Sequence, residues 1–170
     1  MPKIELVVAD ASERPTLARL MQLYAYDFSE FMGWDVQGDG LFDAGDALAK
    51  CWSVPWRHTY FVRVDDHIAG FAITDFRSRL SGSSDVMDVA EFFVLRKYRR
   101  QRIGATIASR LFALHSGKWE VRQTAKNVAA AAFWRRVIAE HTGGAFEETI
   151  WDDARWRGPV QSFGAARQQD

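Results

Sequence analysis

The pattern of apolar and polar residues divides the chain into short runs that alternate between strand and helix periodicity. Residues 4–8 have the composition of a short strand, and apolar residues from Leu17 to Phe31 recur at helical spacing up to Gly33. Ser12 is a candidate N-cap for this helix. Residues 33–58 are interrupted by glycine and proline, with a short helix predicted over residues 44–52, and such a long segment is typical of a lid or binding loop.

The middle of the chain predicts a hairpin and then a buried strand. Residues 59–64 and 68–76 are predicted to be two strands of a hairpin around a turn at residues 65–67. Residues 86–95 are nearly all apolar, which is typical of a central strand covered on both faces. A basic loop over residues 96–102 leads to a helix that begins near Gly104 and is expected to end at residue 117.

The last third predicts a strand over residues 118–124, a helix capped by Asn127 and a final hairpin of residues 145–151 and 156–163. Residues 165–170 are polar and expected to be frayed. This order of elements predicts an α/β fold in one domain, residues 1–164, with a mixed central sheet flanked by helices.

Composition narrows the function classes. A single cysteine, Cys51, excludes an internal disulfide framework and any cysteine-based metal site, and the four histidines lack metal-ligand spacing, so no metal is expected. No stretch reaches the ~18 apolar residues that a membrane span needs, which makes a cytoplasmic protein without a membrane partner the default expectation.

Charge is unevenly distributed although the net charge is zero. Residues 1–95 carry 15 acidic and 8 basic side chains, and residues 96–170 carry 7 and 14. Such asymmetry suggests that one half handles an anion and the other a cation, although solvated faces of opposite sign would give the same count. A nucleic-acid partner is not expected, because one basic loop on a neutral chain is a small electrostatic footprint.

The basic loop carries the strongest chemical signal. Five of its seven residues are basic, and the helix that follows opens at Gly104. Helix N-termini present unpaired N–H groups and a positive dipole end, which suit phosphate, and the arginine side chains add charge-assisted donors. The alternative interpretation is an ordinary basic loop with a glycine at a bend.

This segment resembles the signature of the GCN5-related N-acetyltransferase (GNAT) family, a buried strand followed by R/Q-x-x-G-x-G/A at a helix start. Arg99-Arg100-Gln101-Arg102-Ile103-Gly104 lies in that register, and the segment from Asn127 to Trp134 resembles the family's N-x-x-A-x-x-F-Y. The element order resembles the family over nearly the whole chain. Arg102 stands where the motif has its first glycine, which implies a slightly altered pyrophosphate pose.

The resemblance implies acetyl-coenzyme A as cofactor. It assigns the pantetheine arm to backbone groups of Phe93 and Val94, and the thioester oxygen to a backbone N–H near Val94. Asn127 and Trp134 belong to the implied cofactor site through their motif. The phosphates are assigned to the basic loop and helix start, namely Arg99, Arg100, Gln101, Arg102, Ile103, Gly104 and Ala105.

Glu91 is the candidate catalytic residue. A carboxyl group in an apolar central strand is costly unless it is paired or neutral, so its pKa is expected to be raised, as a general base for an amine requires. The resemblance adds a glutamate that removes the amine proton through water, while a structural glutamate is the alternative. Asp88 is the next candidate, but strand alternation predicts that it lies on the opposite face.

The acceptor site is assigned by resemblance to the first helix, the long loop and the last hairpin. The candidate residues are Tyr26, Asp27 and Trp34, with Asp35, Asp39, Asp43, Trp151 and Trp156 as further members. Acidic and aromatic side chains suit a cationic amine. Trp134 occupies the position where the family often has a tyrosine acid, so no essential acid is expected on that helix, and Tyr26 and Tyr98 are alternative donors.

Two functions therefore follow from the resemblance. The first is an enzyme that transfers acetyl from acetyl-coenzyme A to a primary amine on a cationic small molecule or peptide. The second is a non-catalytic module that binds acyl-coenzyme A as a sensor or interaction protein. A homodimer is compatible with either function, and the sequence determines neither the acceptor nor the oligomeric state.

Overall fold

The computed structural model describes residues 1–43 and 45–164, and its central feature is a mixed sheet of seven strands. Their bounds are β1 Ile4–Val8, β2 Arg57–Val64, β3 His67–Asp75, β4 Val86–Val94, β5 Lys118–Arg122, β6 Glu147–Asp152 and β7 Arg157–Gly164. The spatial order is β1-β2-β3-β4-β5-β7-β6. The predicted central strand is thus the fourth of seven, and the predicted α/β fold class is confirmed.

The sheet is antiparallel except between β4 and β5, which pair in parallel. A parallel pair needs a crossover connection, and here the basic loop and the following helix provide it. The position of the loop at the end of β4 is therefore a consequence of the topology.

Four helices flank the sheet: α1 Arg14–Met32, α2 Ala47–Lys50, α3 Ile103–Leu114 and α4 Val128–Thr142. The predicted cap at Ser12 is wrong. Asp10 accepts the N–H of Ser12 at 2.8 Å and donates its own N–H to Glu13 at 2.9 Å, which forms a capping box one turn before α1. Asn127 caps α4 as predicted, accepting the N–H of Ala130 at 3.0 Å.

The helices divide between the two faces of the sheet. One core cluster joins α1 to Phe61, Phe71 and Phe93, and α2 packs against it. The other clusters join α3 and α4 to the opposite face, with Trp119 fully buried. Side chains of β4 are therefore divided between an α1 layer and an α3–α4 layer.

Several predicted boundaries shift. The helix predicted to end at residue 117 ends at Leu114, and the short helix predicted over residues 44–52 covers Ala47–Lys50. Residue 44 and the tail 165–170, which was predicted to be frayed, lie outside the described residues. No helix in residues 1–43 and 45–164 is both long and apolar enough to cross a membrane.

Candidate functional site

The site begins at a gap between the two parallel strands. β5 pairs with β4 only over Val86–Val89 and ends at Arg122. β4 continues through Val94, so its last five residues have β3 on one side and no paired strand on the other within the described chain. This gap, the β4–β5 notch, exposes an edge of unpaired backbone in the middle of a sheet, where an extended ligand could pair with it.

Backbone direction decides which residues face the β4–β5 notch. Gly70 in β3 lies so close to β4 that a side chain there would overlap the carbonyl oxygen of Phe93, so this carbonyl points toward β3. Because backbone groups alternate along a strand, Phe92 and Val94 face the notch. The sequence assigned the pantetheine arm to the backbone of Phe93 and Val94, but the polar backbone groups of Phe93 belong to the β3 side, whereas those of Phe92 and Val94 face the notch.

The start of α3 lies just past the end of β4. Thr106 donates its N–H to the carbonyl of Arg102 at 2.9 Å, and the N–H groups of Ile103, Gly104 and Ala105 have no backbone partner among the described residues. Three aligned donors at the positive end of a helix dipole form a place for an anion. They match the position that the sequence predicted for the phosphates.

Two arginines of the basic loop are held by an acidic side chain of α1. Arg96 donates to Asp27 at 2.8 Å, and Arg99 donates both to Asp27 and, at 2.7 Å, to the carbonyl of Val94. Burial alone would raise the pKa of Asp27, but the hydrogen bonds and charges of Arg99 and Arg96 lower it below its ordinary value. Asp27 thus fastens the loop to α1 through both carboxylate oxygens, and its predicted role toward the acceptor stays a prediction.

The remaining loop side chains point to local partners or to solvent. Gln101 donates to the carbonyl of Lys97 at 2.7 Å, and Arg102 pairs with Glu140 at 3.2 Å on the surface. Arg100 and Arg102 both adopt left-handed backbone, with φ of 62° and 60°. That conformation favours glycine, which explains why the resembling motif has glycine at the position of Arg102.

Gly104 has a packing role that its sequence position did not reveal. Its φ is not left-handed, and a Cβ there would lie 3.3 Å from the ring of Phe133 in α4. Phe133 and Trp134 in turn contact Phe92, with the Phe92 and Trp134 ring centroids 4.9 Å apart. The absence of a side chain at Gly104 therefore lets the start of α3 approach the aromatic wall of the notch.

A cavity of about 710 Å³ adjoins the β4–β5 notch. On the α3–α4 side its wall includes Phe92, Asn127 and Trp134, and on the α1 side it includes Tyr24 and Glu91. The cavity thus connects the unpaired edge of β4 with the predicted catalytic residue. Asn127 and Trp134 line this wall and also have structural roles, because Asn127 caps α4 and Trp134 is buried in the core.

Glu91 is hydrogen bonded to a tyrosine that the sequence did not single out. The hydroxyl of Tyr24 in α1 donates to the Glu91 carboxylate. Burial raises the pKa of Glu91 above its ordinary value, although the Tyr24 hydrogen bond and the charges of Arg122 and Arg57 oppose this. Burial and the Glu91 charge raise the pKa of Tyr24 well above its ordinary value, so its hydroxyl remains a neutral donor. Glu91 is therefore a carboxyl group suited to take up a proton.

A bulge in β4 overturns the predicted orientation of Asp88. The register with β3 pairs Ile73 with Glu91 but Thr74 with Val89, so one extra β4 residue is inserted. The insertion resets the alternation, and Asp88 and Glu91 both line the cavity. Strand alternation without the bulge would have separated them.

Two buried ion pairs form the floor of the cavity. Arg57 donates twice to Asp75, both at 2.7 Å, and Arg122 donates to Asp88 at 3.1 and 2.6 Å. Within each pair the arginine neutralises its aspartate. The two bidentate pairs therefore hold the floor in place and leave it with little net charge. In residues 1–43 and 45–164 no three His, Cys, Asp or Glu side chains are gathered as a metal ion would require.

The predicted acceptor residues separate into two groups. Trp34, Asp43 and Trp156 line the cavity. Tyr26 does not line it and is 61% exposed, and Tyr98 packs beneath α3, so neither alternative donor reaches the cavity. The other residues that do not line it are Asp27, Asp35, Asp39 and Trp151. Helical spacing predicted Tyr24 as a member of the apolar stripe of α1, but nothing local indicated that its hydroxyl would reach Glu91.

The chain is similar to one described protein family. A family model described as the acetyltransferase (GNAT) family matches residues 18–138, which is more than half of the chain. The matched residues include Tyr24, Glu91, the basic loop and most of α4. No curated protein sequence matches the chain.

Solved structures share the fold at low sequence identity. An acetyltransferase from Thermus thermophilus superimposes with a TM-score of 0.71 at 13% identity, covering 95% of this chain and 97% of that one. The ribosomal-protein-S18-alanine N-acetyltransferase from Escherichia coli gives 0.60 at 15%, covering 100% and 97%. The aminoglycoside acetyltransferase AAC(6')-Ib, in complex with coenzyme A, gives 0.65 at 12%, covering 98% and 96%.

Proposed function

The chain belongs to the acetyltransferase (GNAT) family, which uses acetyl-coenzyme A, and on that premise we propose that it transfers an acetyl group to a primary amine. The observation that carries this proposal is the cavity that joins the β4–β5 notch to Glu91. A cofactor lying along the notch would bring its reactive end to the same space as a carboxyl group with a raised pKa.

The donor groups fit coenzyme A chemically. Backbone groups of Phe92 and the N–H of Val94 suit the amides of an extended pantetheine arm, and the three free N–H groups from Ile103 to Ala105 suit a pyrophosphate. Acetyl-coenzyme A would supply the thioester: the amine nitrogen would bond to its carbonyl carbon, and the C–S bond would then break, so that coenzyme A leaves as the thiolate and takes up a proton.

The protein's own groups then have distinct tasks. Glu91 accepts the proton that the substrate ammonium loses before attack, directly or through water. Tyr24 positions Glu91 and stabilises its carboxylate form. The N–H of Val94 donates to the carbonyl oxygen as negative charge develops on it, while the Val94 carbonyl is already held by Arg99.

The structure supports a different source for the positive charge of the acceptor from the one that the sequence suggested. The acidic residues of the long loop suggested a cationic acceptor, but only Asp43 of that group lines the cavity. We infer that the positive charge is that of the reacting ammonium, carried by a small molecule or a peptide N-terminus. Trp34, stacked on Phe28 with centroids 6.2 Å apart, supplies an aromatic surface for its apolar part.

A thiol-release assay with acetyl-coenzyme A tests the proposal. The panel should contain amino acids, peptide N-termini, polyamines, aminoglycosides and simple amines, with calorimetry of coenzyme A binding in parallel. We expect turnover with one class of primary amine. Binding of coenzyme A without turnover would favour the non-catalytic module, and absence of both would contradict each function.

A further inference from the structure

The cavity wall carries more charged side chains than the proposed chemistry uses. Five basic side chains and four acidic ones line it: Lys50, Arg57, Arg77, Arg79 and Arg122, with Asp43, Asp75, Asp88 and Glu91. A pocket built for a polycation would show the opposite balance, with acidic groups in excess.

Among the described residues, ion pairing leaves two of these cations without a carboxylate partner, and it leaves Asp43 and Glu91 without a basic partner. Arg57 and Arg122 are neutralised by their bidentate partners on the floor, and Lys50 lies 3.6 Å from Asp46. Arg77 and Arg79 have no carboxylate within 4.0 Å in the part of the chain that the structure describes. Both are exposed at the cavity wall, on the loop between β3 and β4.

This loop is held in place by the residue between the two arginines. Ser78 is 2% exposed, its hydroxyl donates to Glu120 at 2.6 Å, and the same oxygen accepts the N–H groups of Leu80 and Ser81 at 3.1 and 3.0 Å. Arg155 also donates to the Leu80 carbonyl at 3.0 Å. The backbone that carries the two cations is therefore anchored on both sides.

Arg77 is itself oriented toward an aromatic rim. Its Nε donates to the carbonyl of Gly82 at 3.2 Å, and its guanidinium lies 5.5 Å from the ring centroid of Trp56. Trp56 is 38% exposed and lines the cavity beside the arginines. A guanidinium held in this way keeps unused donors while losing little side-chain freedom on binding a ligand.

We propose that the acceptor amine also carries an oxyanion, a carboxylate or a phosphate, which Arg77 and Arg79 bind at the cavity wall while the amine reaches Glu91. This rests on the proposed function. Guanidinium groups match both oxyanions in geometry, and the same two cations repel polyamines and aminoglycosides. The two arginines thus select the acceptor by its anionic group and take no part in the chemical step.

Matched pairs of amines test the proposal. Phenylalanine is compared with phenylalaninamide, and O-phosphoethanolamine with ethanolamine, which also distinguishes a carboxylate from a phosphate. Wild type should prefer the anionic member of at least one pair by tenfold or more in kcat/KM, as expected for one charged hydrogen bond of about 1.5 kcal/mol. In the variant carrying both Arg77→Gln and Arg79→Gln that preference should disappear through a higher KM, with kcat unchanged.

Arg19→Gln is the matched control, because Arg19 is exposed on α1 outside the cavity. Its kinetics should equal those of wild type. Equal rates within both pairs, a preference for polyamines or aminoglycosides, or an unchanged preference in the double variant would each overturn the proposal while leaving the acetyltransferase function intact.

A binding measurement tests the role of the two arginines independently of the proposed acetyl transfer. If no amine is acetylated, calorimetry of each pair with the protein saturated with coenzyme A still reports on the two arginines. Anionic members should bind and lose affinity tenfold or more in the double variant. Failure of every anionic member to bind would overturn the inference.

Discussion

The start of α3 and the cavity beside Glu91 are two halves of one site, built in different ways. At the start of α3, the N–H groups of consecutive residues, Ile103 to Ala105, provide the proposed anion site. At the cavity, Tyr24, Glu91, Asp88 and Arg122 come from three separate elements and meet only through the fold. One half depends on local backbone geometry, and the other depends on side chains distant in sequence.

This difference explains what each half tolerates. Backbone donors survive many side-chain changes, which is why arginine can replace the glycine of the motif at position 102. A carboxyl group with a raised pKa depends on burial and on each neighbour, so single substitutions should alter its chemistry while leaving cofactor binding intact. A substitution in one half should therefore change either catalysis or coenzyme A binding, but not both.

Glu91→Gln should have the largest effect on catalysis without an effect on coenzyme A binding. Removing the base should lower kcat/KM by about a hundredfold at neutral pH, and by less at high pH where free amine is plentiful, while coenzyme A affinity stays unchanged. Steady-state kinetics across pH with calorimetry measure both quantities. Glu30→Gln, on the exposed side of α1, is the control, and wild-type rates in Glu91→Gln would make Glu91 structural.

Gly104→Val should instead impair coenzyme A binding. Its branched side chain would collide with Phe133, which lies 3.3 Å from the Cβ position, and would displace the helix start. We expect coenzyme A affinity to fall about tenfold or more by calorimetry. Gly104→Ala, which adds only the Cβ, should keep most of the affinity. An unchanged affinity in folded Gly104→Val would contradict the assignment of the pyrophosphate.

Tyr24→Phe should act within the cavity half alone. The Tyr24 hydrogen bond lowers the pKa of Glu91, so its loss should raise that pKa further. Because the carboxylate is the active form of the base, the acid limb of the kcat/KM profile should move to higher pH, with a loss of about tenfold near neutrality. Tyr26→Phe, on the same helix but outside the cavity, is the control. A profile identical to wild type would remove Tyr24 from the mechanism.

Arg102→Gly should have the smallest effect. Relief of the left-handed backbone, φ 60°, should raise the free energy of unfolding by about 0.5–1 kcal/mol in urea denaturation, because glycine's greater unfolded entropy offsets part of the gain. Coenzyme A affinity should change by less than about threefold. Lys97→Gly, where the backbone is not left-handed, should destabilise instead. Destabilisation by Arg102→Gly would mean that the arginine side chain is needed.

The sequence predicted the fold and the start of α3 because their signals are local. The pattern of apolar and polar residues indicated every strand, and Gly104 with the basic residues before it indicated the proposed anion site. The cavity was predicted less well. The β4 bulge that turns Asp88 beside Glu91, and the helix position that brings Tyr24 rather than Tyr26 to the carboxyl group, depend on tertiary packing. The pairing of Asp27 with two loop arginines likewise joins residues about seventy positions apart.

A crystal structure of the complex with coenzyme A tests the central claim most directly, because it locates both halves of the site at once. The account predicts pyrophosphate oxygens about 3 Å from the N–H groups of Ile103, Gly104 and Ala105. The pantetheine arm should pair with Phe92 and Val94 in the β4–β5 notch, with the sulfur opening into the cavity that contains Glu91. A pyrophosphate bound away from the start of α3, or a sulfur outside that cavity, would contradict it.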